Sequence, residues 1–194
     1  MNPVVGVLAL QGAFAAHAES LTRVGARTAE VRTPAHLEGV DALVMPGGES
    51  STMSNLLASS GLFDPIAERI ADGMPVFGTC AGMILLSSEV LDGRDDQRCF
   101  SAIDISVRRN AFGRQVDSFE TDIPTTVGMF HGVFIRAPRI ERVGGSVEVL
   151  GSLGDEAVLV RNESVLAASF HPELAGDDRL HDYFVSTVLS RREG

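Results

Sequence analysis

The stretch PVFGTCAG, residues 75–82, predicts an apolar strand, a sharp turn of the form Gly-x-Cys-x-Gly and the start of a helix. Glycines on both sides of the turn let the backbone bend tightly without side-chain clashes. Such a turn would place Cys80 at the carboxyl edge of a sheet, where the N-terminal dipole of the next helix favours a thiolate. The N–H of Ala81 would then be available to an oxyanion. Cys80 is therefore a candidate nucleophile, although the motif alone fits a small buried hydrophobe equally well.

Strand and helix patterns alternate through the first half of the chain. Apolar runs bounded by glycine or proline are typical of buried strands, and apolar residues spaced three and four apart indicate helices. The predicted order is a strand over 4–10, a helix over 12–24, a strand over 42–45, a helix capped by Ser50 or Ser51, a helix over 63–71, a strand over 75–78 and a helix over 79–88. This alternation predicts an α/β fold with a parallel sheet and helices on both faces.

The pattern changes after about Ile103. From there to Phe170, β-branched and aromatic residues stand between Gly, Pro and Asp turns, which predicts several strands, partly antiparallel, including segments 127–135, 147–150 and 157–160. These strands either continue the first sheet or form a small second one. A last helix is predicted after Asp177 or Asp178, with Leu180 on its apolar stripe. The length of 194 residues suits a single domain over residues 1–194.

Composition excludes several classes of protein. Hydrophobic residues make up 44% and charged residues 22% of the chain, which is typical of a globular protein. A net charge of −10 argues against nucleic-acid binding, because an acidic surface repels phosphate. No apolar run approaches the roughly 20 residues that span a bilayer, so no membrane association is expected. Two cysteines and the lack of a signal-peptide pattern predict a cytoplasmic location.

The tripeptide His171-Pro172-Glu173 supplies a candidate base and a group to orient it. It follows a predicted strand, and residues i and i+2 of an extended segment project to the same side, so the Glu173 carboxylate could reach the His171 ring. A nucleophilic cysteine requires such a pair. In isolation His-Pro-Glu would be a strand end followed by a solvated charge, and its pairing with Cys80 favours the catalytic reading. The other histidines are expected to be structural or exposed: His17, His36, His131 and His181.

A glycine turn follows the strand over 42–45. Loops at the carboxyl ends of parallel strands line the ligand crevice, so Gly47 and Gly48 could supply an oxyanion-binding N–H. A phosphate loop would need the pattern Gly-x-x-x-x-Gly-Lys-Ser/Thr, which is missing here. An ordinary tight turn between strand and helix is the competing interpretation. Cys99 has no comparable setting and is expected to be structural.

Six segments together resemble the glutaminase subunits of pyridoxal 5′-phosphate synthases, within the class I glutamine amidotransferases. The resemblance covers nearly the whole chain and is carried by VLALQG at 7–12, PGGES at 46–50, GTCAG at 78–82, RNAFGRQVDSF at 109–119, GVFIRAP at 132–138 and SFHPE at 169–173. No motif position departs from the family pattern.

The resemblance implies a flavodoxin-like α/β fold with a mixed, mostly parallel sheet. It also implies a synthase partner that uses ammonia, released here from L-glutamine, to build the vitamin B6 cofactor. Cys80, His171 and Glu173 would be the catalytic triad, and docking of the partner near Gln11 would organise the oxyanion loop. The implied glutamine contacts are Gly48, Glu49, Ser50, Arg109, Ile135 and Arg136.

The chemistry predicted for this set needs no metal or organic cofactor. A guanidinium such as that of Arg109 suits the α-carboxylate of glutamine, because it can donate two parallel hydrogen bonds. No Cys/His cluster has zinc spacing. Three alternatives remain at this stage: a glutaminase serving another acceptor, such as an imidazole-phosphate synthase, a cysteine peptidase or hydrolase on a similar scaffold, and a non-enzymatic regulatory module.

Overall fold

The computed structural model describes residues 3–109 and 118–190. The strands are β1 (Val4–Leu8), β2 (Arg27–Val31), β3 (Ala42–Met45), β4 (Val76–Thr79), β5 (Ser87–Val90), β6 (Ile103–Arg108), β7 (Ser118–Thr125), β8 (Gly128–Ile135), β9 (Arg139–Val143), β10 (Glu148–Leu153), β11 (Glu156–Arg161) and β12 (Val165–Ala168). The helices are α1 (Phe14–Arg23), α2 (Pro34–Leu37), α3 (Ser50–Ser59), α4 (Phe63–Ala71), α5 (Ala81–Leu86) and α6 (Arg179–Tyr183). A 3₁₀ turn spans Pro172–Leu174, and α6 continues as a π-helical segment, Phe184–Leu189.

Nine strands form one mixed sheet in the order β2-β1-β3-β4-β12-β11-β10-β7-β8. The pairs from β2 to β12 are parallel, with Leu43 opposite Val76 and Val165 opposite Val76 in the centre. The pairs from β12 to β8 are antiparallel. The α/β fold with a large mixed sheet is confirmed, and the parallel pairing occupies one half of the sheet.

Helices cover both faces of the sheet, as the sequence predicts. Alternate strand residues point to opposite sides, so Leu43 packs with α3, α4 and α5, while Val44 packs with α1 and the C-terminal helix. Both central residues are fully buried. This arrangement brings the carboxyl ends of β1, β3, β4 and β12 to the same edge of the molecule.

A second sheet of three strands, in the order β5-β6-β9, packs on the face that holds α3 to α5. The later strands therefore do both things that the sequence left open, since some extend the main sheet and others form a small one. Residues 91–102 link β5 to β6. No helix in the described ranges has the length and apolarity to cross a membrane.

Several predicted boundaries differ from the structure, most clearly the cap of α3 and the end of α5. The residue that caps α3 is Glu49, not Ser50 or Ser51 as predicted. Its carboxylate accepts the N–H groups of Ser51 at 3.1 Å and Thr52 at 2.7 Å. The helix after Cys80 ends at Leu86, before the predicted Ser88, because Ser87–Val90 pairs with β6, a partner distant in sequence. The last helix begins after Asp178 as predicted.

Candidate active site

The turn between β4 and α5 holds Cys80 in a strained conformation. Its φ of 52° and ψ of −108° are sparsely populated by residues other than glycine, and such strain costs about 1–3 kcal/mol. A Cβ at Gly82 would lie 2.1 Å from the carbonyl oxygen of Met45, and one at Gly78 would lie 2.7 Å from the backbone of Gly82. Both glycines are therefore required by close backbone packing, and they let the turn present the thiol at the sheet edge.

His171 and Glu173 lie beside this turn. The N–H of His171 donates to the Val133 carbonyl at 2.8 Å, which fixes the backbone just after β12. Nδ1 of the ring lies 2.8 Å from Oε1 of Glu173. Glu173 reaches the ring from the 3₁₀ turn Pro172–Leu174. The predicted contact is thus present, although the extended geometry predicted for it is wrong, because the proline starts a turn.

The His171 ring also interacts with the side chain of Cys80, which brings together the three residues predicted as a triad. Because Nδ1 is bound to Glu173, Nε2 is the nitrogen left to face the thiol. Burial alone lowers the pKa of His171, but its interactions with Cys80 and Glu173 outweigh burial and raise that pKa to about 10. At neutral pH the imidazole is therefore protonated and can stabilise a thiolate.

Glu173 is ionised despite its burial. Burial raises the pKa of a carboxyl group, but the hydrogen bond from His171 and the charge of its imidazolium outweigh burial and hold the pKa of Glu173 below its ordinary value. Its second oxygen, Oε2, lies 3.3 Å from Nε2 of His17. The carboxylate is thereby placed between two histidine rings.

The loop after β3 lies against the thiol and the imidazole. A Cβ at Gly47 would lie 2.5 Å from Cε1 of His171 and 3.3 Å from Cβ of Cys80. Gly48 has a φ of 148°, and a Cβ there would lie 2.6 Å from Oε1 of Gln11. The same Gln11 oxygen accepts the N–H of Glu49 at 3.0 Å. The predicted oxyanion loop is therefore next to Cys80 and is held by a side chain from the segment after β1.

Ala81 is the first residue of α5 and is fully buried. A first-turn N–H has no partner within its own helix, so the N–H of Ala81 has the character predicted for an oxyanion donor. It directly follows Cys80 in the chain.

A cavity of about 340 Å³ opens over the thiol. Its volume lies in the range of small-molecule sites. Except for Ala81 and Glu173, every residue predicted for the site lines it: Gly47, Gly48, Glu49, Ser50, Cys80, Arg109, Ile135, Arg136 and His171. Cys80 is 6% exposed, so the thiol lies at the floor of this cavity.

Arg109 forms part of the cavity wall and is held by several oxygens. Nε and Nη2 donate to the Asp92 carbonyl at 3.1 and 2.7 Å, and Nη1 donates to Oγ of Ser51 at 2.8 Å. Oε1 of Gln97 accepts from Ser51 at 3.1 Å. The loop of residues 91–102 thus orients the guanidinium. Residues 110–117 of the predicted motif lie outside the described residues.

The opposite wall is the end of β8. The carbonyl oxygen of Ile135 lies 4.0 Å from Sγ of Cys80, and Arg136 adopts a φ of 43° directly after the strand. Ile135 is 37% exposed, so it forms the rim of the cavity as well as its wall.

Sequence comparison assigns the chain to a family. Residues 7–190 match the SNO glutamine amidotransferase family. The chain belongs to this family. The glutamine amidotransferase assignment agrees with the cysteine, imidazole and carboxylate that the fold brings together.

Curated relatives of this amidotransferase are similar over nearly their whole length. "Pyridoxal 5′-phosphate synthase subunit PdxT" of Mycobacteroides abscessus is 57% identical, covering 97% of this chain and 98% of the relative. The protein of the same name from Corynebacterium jeikeium is 54% identical, with the same coverage of both chains.

Solved structures support the same fold. A crystal structure of a glutamine amidotransferase is 50% identical, covers 96% of this chain and 98% of its own, and superposes with a TM-score of 0.90. The structure of PurLQS from Thermotoga maritima has a TM-score of 0.68 at 15% identity, which is a likeness of fold alone.

Two histidines of this amidotransferase have a setting that local sequence patterns did not indicate. His17 and His181 are fully buried behind the triad, and Nδ1 of His17 lies 2.9 Å from Nε2 of His181. The spacing of His17 and Leu21 on α1 could have shown that His17 faces the core. No local signal could have shown its proximity to Glu173. His36 and His131 are exposed, as expected.

The part of the chain that the structure describes shows no arrangement suited to a metal ion. In residues 3–109 and 118–190, no group of three or more His, Cys, Asp or Glu side chains is arranged to hold a metal ion. Cys99 lies outside the cavity, and burial raises the pKa of its thiol.

Proposed function

We propose that this chain is the glutaminase subunit of a pyridoxal 5′-phosphate synthase, with Cys80, His171 and Glu173 as its triad. It hydrolyses L-glutamine to L-glutamate and ammonia, and a synthase partner uses the ammonia. The observation that carries the proposal is a cysteine held beside an imidazole that a buried carboxylate orients, at the floor of a small-molecule cavity. The names and full-length similarity of the curated relatives support the synthase as acceptor of the ammonia.

The reaction begins with attack of the Cys80 thiolate on the side-chain amide carbon of glutamine. The carbonyl oxygen becomes an oxyanion, which the N–H of Ala81 and an N–H of the Gly47-Gly48 loop stabilise. Loss of one such donor typically costs about 3–4 kcal/mol of barrier. The protonated His171 gives its proton to the departing nitrogen, so ammonia leaves and a thioester remains on Cys80.

Water then cleaves the thioester. Neutral His171 takes a proton from the water, whose oxygen attacks the thioester carbon. Collapse of the second tetrahedral intermediate breaks the carbon–sulfur bond, releases glutamate and restores the thiolate beside the imidazolium. Glu173 keeps Nδ1 of the ring protonated and fixed throughout, which is the part that the orienting carboxylate has in triads of this type.

Substrate position follows from the cavity walls. Arg109 is the candidate for the α-carboxylate of glutamine, because the surrounding oxygens fix its plane while the group lines the cavity. Gly48, Glu49, Ser50, Ile135 and Arg136 are the other proposed glutamine contacts. Oε1 of Gln11 binds the loop that would supply the oxyanion N–H. A partner docked at the Gln11 segment would therefore act directly on that loop.

We also propose a cytoplasmic location for the chain. Cys80 and Cys99 form no disulfide, which supports the predicted cytoplasmic location.

An ammonia assay with L-glutamine, in the presence and absence of the synthase partner, tests the function. We expect the partner to raise turnover, and we expect Cys80→Ala to abolish ammonia release without loss of folding or partner binding. Cys99→Ala is the matched control and should keep wild-type turnover, because Cys99 lies outside the cavity. Ammonia release by Cys80→Ala would refute the assignment of the nucleophile.

A further inference from the structure

A buried polar cluster lies on the side of Glu173 that faces away from His171. Its members, which we call the back cluster, are His17 on α1, Thr79 at the end of β4 and His181 on α6. All three are fully buried. Nε2 of His17 lies 3.3 Å from Oε2 of Glu173 and 3.2 Å from Oγ1 of Thr79. The back cluster therefore contacts the triad through the free oxygen of its carboxylate.

The hydrogen-bond partners of His17 and His181 favour one tautomer for each ring. If Nε2 of His17 carries the hydrogen, that N–H donates to Oγ1 of Thr79 at 3.2 Å and lies 3.3 Å from Oε2 of Glu173, while Nδ1 accepts from Nε2–H of His181. Among the described residues, Nδ1 of His181 and Oε2 of Glu173 have no hydrogen-bond partner, so the contact of His17 with Oε2 is electrostatic. The opposite tautomer would place a lone pair of His17 against a carboxylate oxygen and bury an unpaired N–H on His181. It is disfavoured on both counts.

Both rings are neutral in this arrangement. Burial lowers the pKa of His17 to about 4 and that of His181 to about 3, because each imidazole is removed from water. A neutral His17 donates one hydrogen bond in a fixed direction and adds no second positive charge beside His171.

The surrounding elements hold the imidazole rings of His17 and His181 in place. Phe77 on β4 packs its ring edgewise against both imidazoles, with centroids 6.3 Å from His17 and 5.7 Å from His181. Arg23 on α1 binds both carboxylate oxygens of Asp178, next to α6, at 2.6 and 2.8 Å. Helices α1 and α6 are thereby tied together around the pair.

We propose that His17, fixed by His181, is a positioning residue that holds Oε2 of Glu173 so that Oε1 faces the ring of His171. His17 acts through the carboxylate and does not touch the substrate. Without the His17 ring, Oε2 of Glu173 loses the N–H dipole that lies 3.3 Å from it, and the carboxylate can rotate away from Nδ1 of His171. This inference rests on the proposed function, since it concerns the same triad.

Substitution of His17 tests the proposal by kinetics with the synthase partner present. His17→Leu removes the donor, and we expect kcat to fall about ten- to a hundredfold, the scale at which hydrogen-bonded outer partners act. KM should stay near its wild-type value. His17→Gln keeps an N–H near the position of Nε2 and should restore most of kcat. Leu21→Ala is the matched control, because Leu21 is buried one turn further along α1 and is an apolar residue that is not a member of the back cluster.

A double-mutant cycle separates positioning from general destabilisation. In a Glu173→Ala background, His17→Leu should cause no further loss of kcat, because its effect passes through the missing carboxylate. An equal loss in both backgrounds, or a comparable loss of kcat in Leu21→Ala, would overturn the proposal. So would a His17→Gln variant as impaired as His17→Leu.

The Nδ1–H proton of His171, observed by NMR in ¹⁵N-histidine-labelled protein, gives a readout that does not depend on activity. We expect its downfield resonance to move upfield in His17→Leu and to persist in His17→Gln. If His17→Leu does not fold, His181→Leu replaces it, and an unmoved resonance with wild-type kcat in that variant would refute the proposal. A wild-type complex that released no ammonia would count against the proposed function, and the resonance would still test the position of His171.

Discussion

At the residue scale, the site depends on two glycines whose missing Cβ atoms leave space for neighbouring side chains. Gly47 leaves room for the imidazole of His171, and Gly48 leaves room for the amide of Gln11. Neither space could be kept by a residue with a Cβ, because the distances fall below those of real Cβ contacts. The glycine pair is thus needed by the packing of the site, in addition to any N–H that it offers to an oxyanion.

Gly47→Ala should therefore impair catalysis more than folding. The added methyl group would displace the His171 ring, and a misplacement of about 1 Å can cost on the order of a hundredfold in rate. We expect kcat for glutamine hydrolysis to fall by about that factor, with a modest change in Tm by calorimetry. Gly145→Ala is the control, since a Cβ there meets nothing within 4 Å. Wild-type kcat in Gly47→Ala would contradict the assigned packing.

At the element scale, the loop of residues 91–102 supports the substrate side of the cavity. It contributes Asp92 and Gln97 to the oxygens around Arg109, while Ser51 comes from α3. The loop, α3 and β6 therefore meet at a single guanidinium. A displacement of any of these elements would change the orientation of Arg109 towards a carboxylate. It would leave the Cys80 turn unchanged.

Gln97→Ala should accordingly raise KM for glutamine with little change in kcat. The variant removes an acceptor that holds Ser51 and lies 3.5 Å from Nη1 of Arg109. Loss of a hydrogen bond worth about 0.5–1.5 kcal/mol predicts an increase in KM of roughly two- to tenfold. Steady-state kinetics with the synthase present measures it. Arg94→Ala, on an exposed side chain of the same loop, serves as control. A fall in kcat at constant KM would argue against a role in substrate binding.

At the scale of the whole molecule, the buried histidines link stability to pH. The folded pKa values of His17 and His181, about 4 and about 3, lie below the ordinary value of 6.5. The unfolded chain therefore binds protons below pH 6.5 that the folded chain excludes, and stability falls as the pH falls from there. His171 has the opposite sign, because its raised pKa adds stability that is lost as the pH rises from 6.5 towards 10.

We expect the free energy of unfolding to drop between pH 6.5 and 4.5 by up to about 1.4 kcal/mol per pH unit for each of the two buried histidines. Charged neighbours that act on the pair, Glu173, Asp178 and Arg23, are present in every variant compared. Urea titrations at several pH values measure the slope.

The double variant His17→Gln/His181→Gln should show a shallower slope over that range, since glutamine does not titrate. His36→Gln, on an exposed residue of α2, should keep the wild-type slope. Equal slopes in the wild-type protein and the double variant would show that these two rings do not titrate on unfolding.

Local sequence patterns are sufficient to predict the features that depend on neighbours in the chain. The Gly-x-Cys-x-Gly turn, the His-Pro-Glu tripeptide, the Gly-Gly loop and the alternation of strand and helix could each be identified, because backbone bends and apolar spacing are local properties. From these, the α/β fold and the three residues that meet at the thiol followed. The predicted cap of α3 and the predicted end of α5 were wrong. The Glu49 side chain caps α3, and the pairing of β5 with the distant strand β6 ends α5.

The groups that lie behind the triad and around Arg109 are known only from the folded structure. His17 and His181 are 164 residues apart, and Gln11 and Glu49 are 38 apart. No short-range pattern records such pairs, because their partners are set by which helix packs on which face of the sheet. A buried histidine and an exposed one look alike in sequence. Their pKa values and hydrogen bonds differ because folding removes one from water and places a carboxylate beside it.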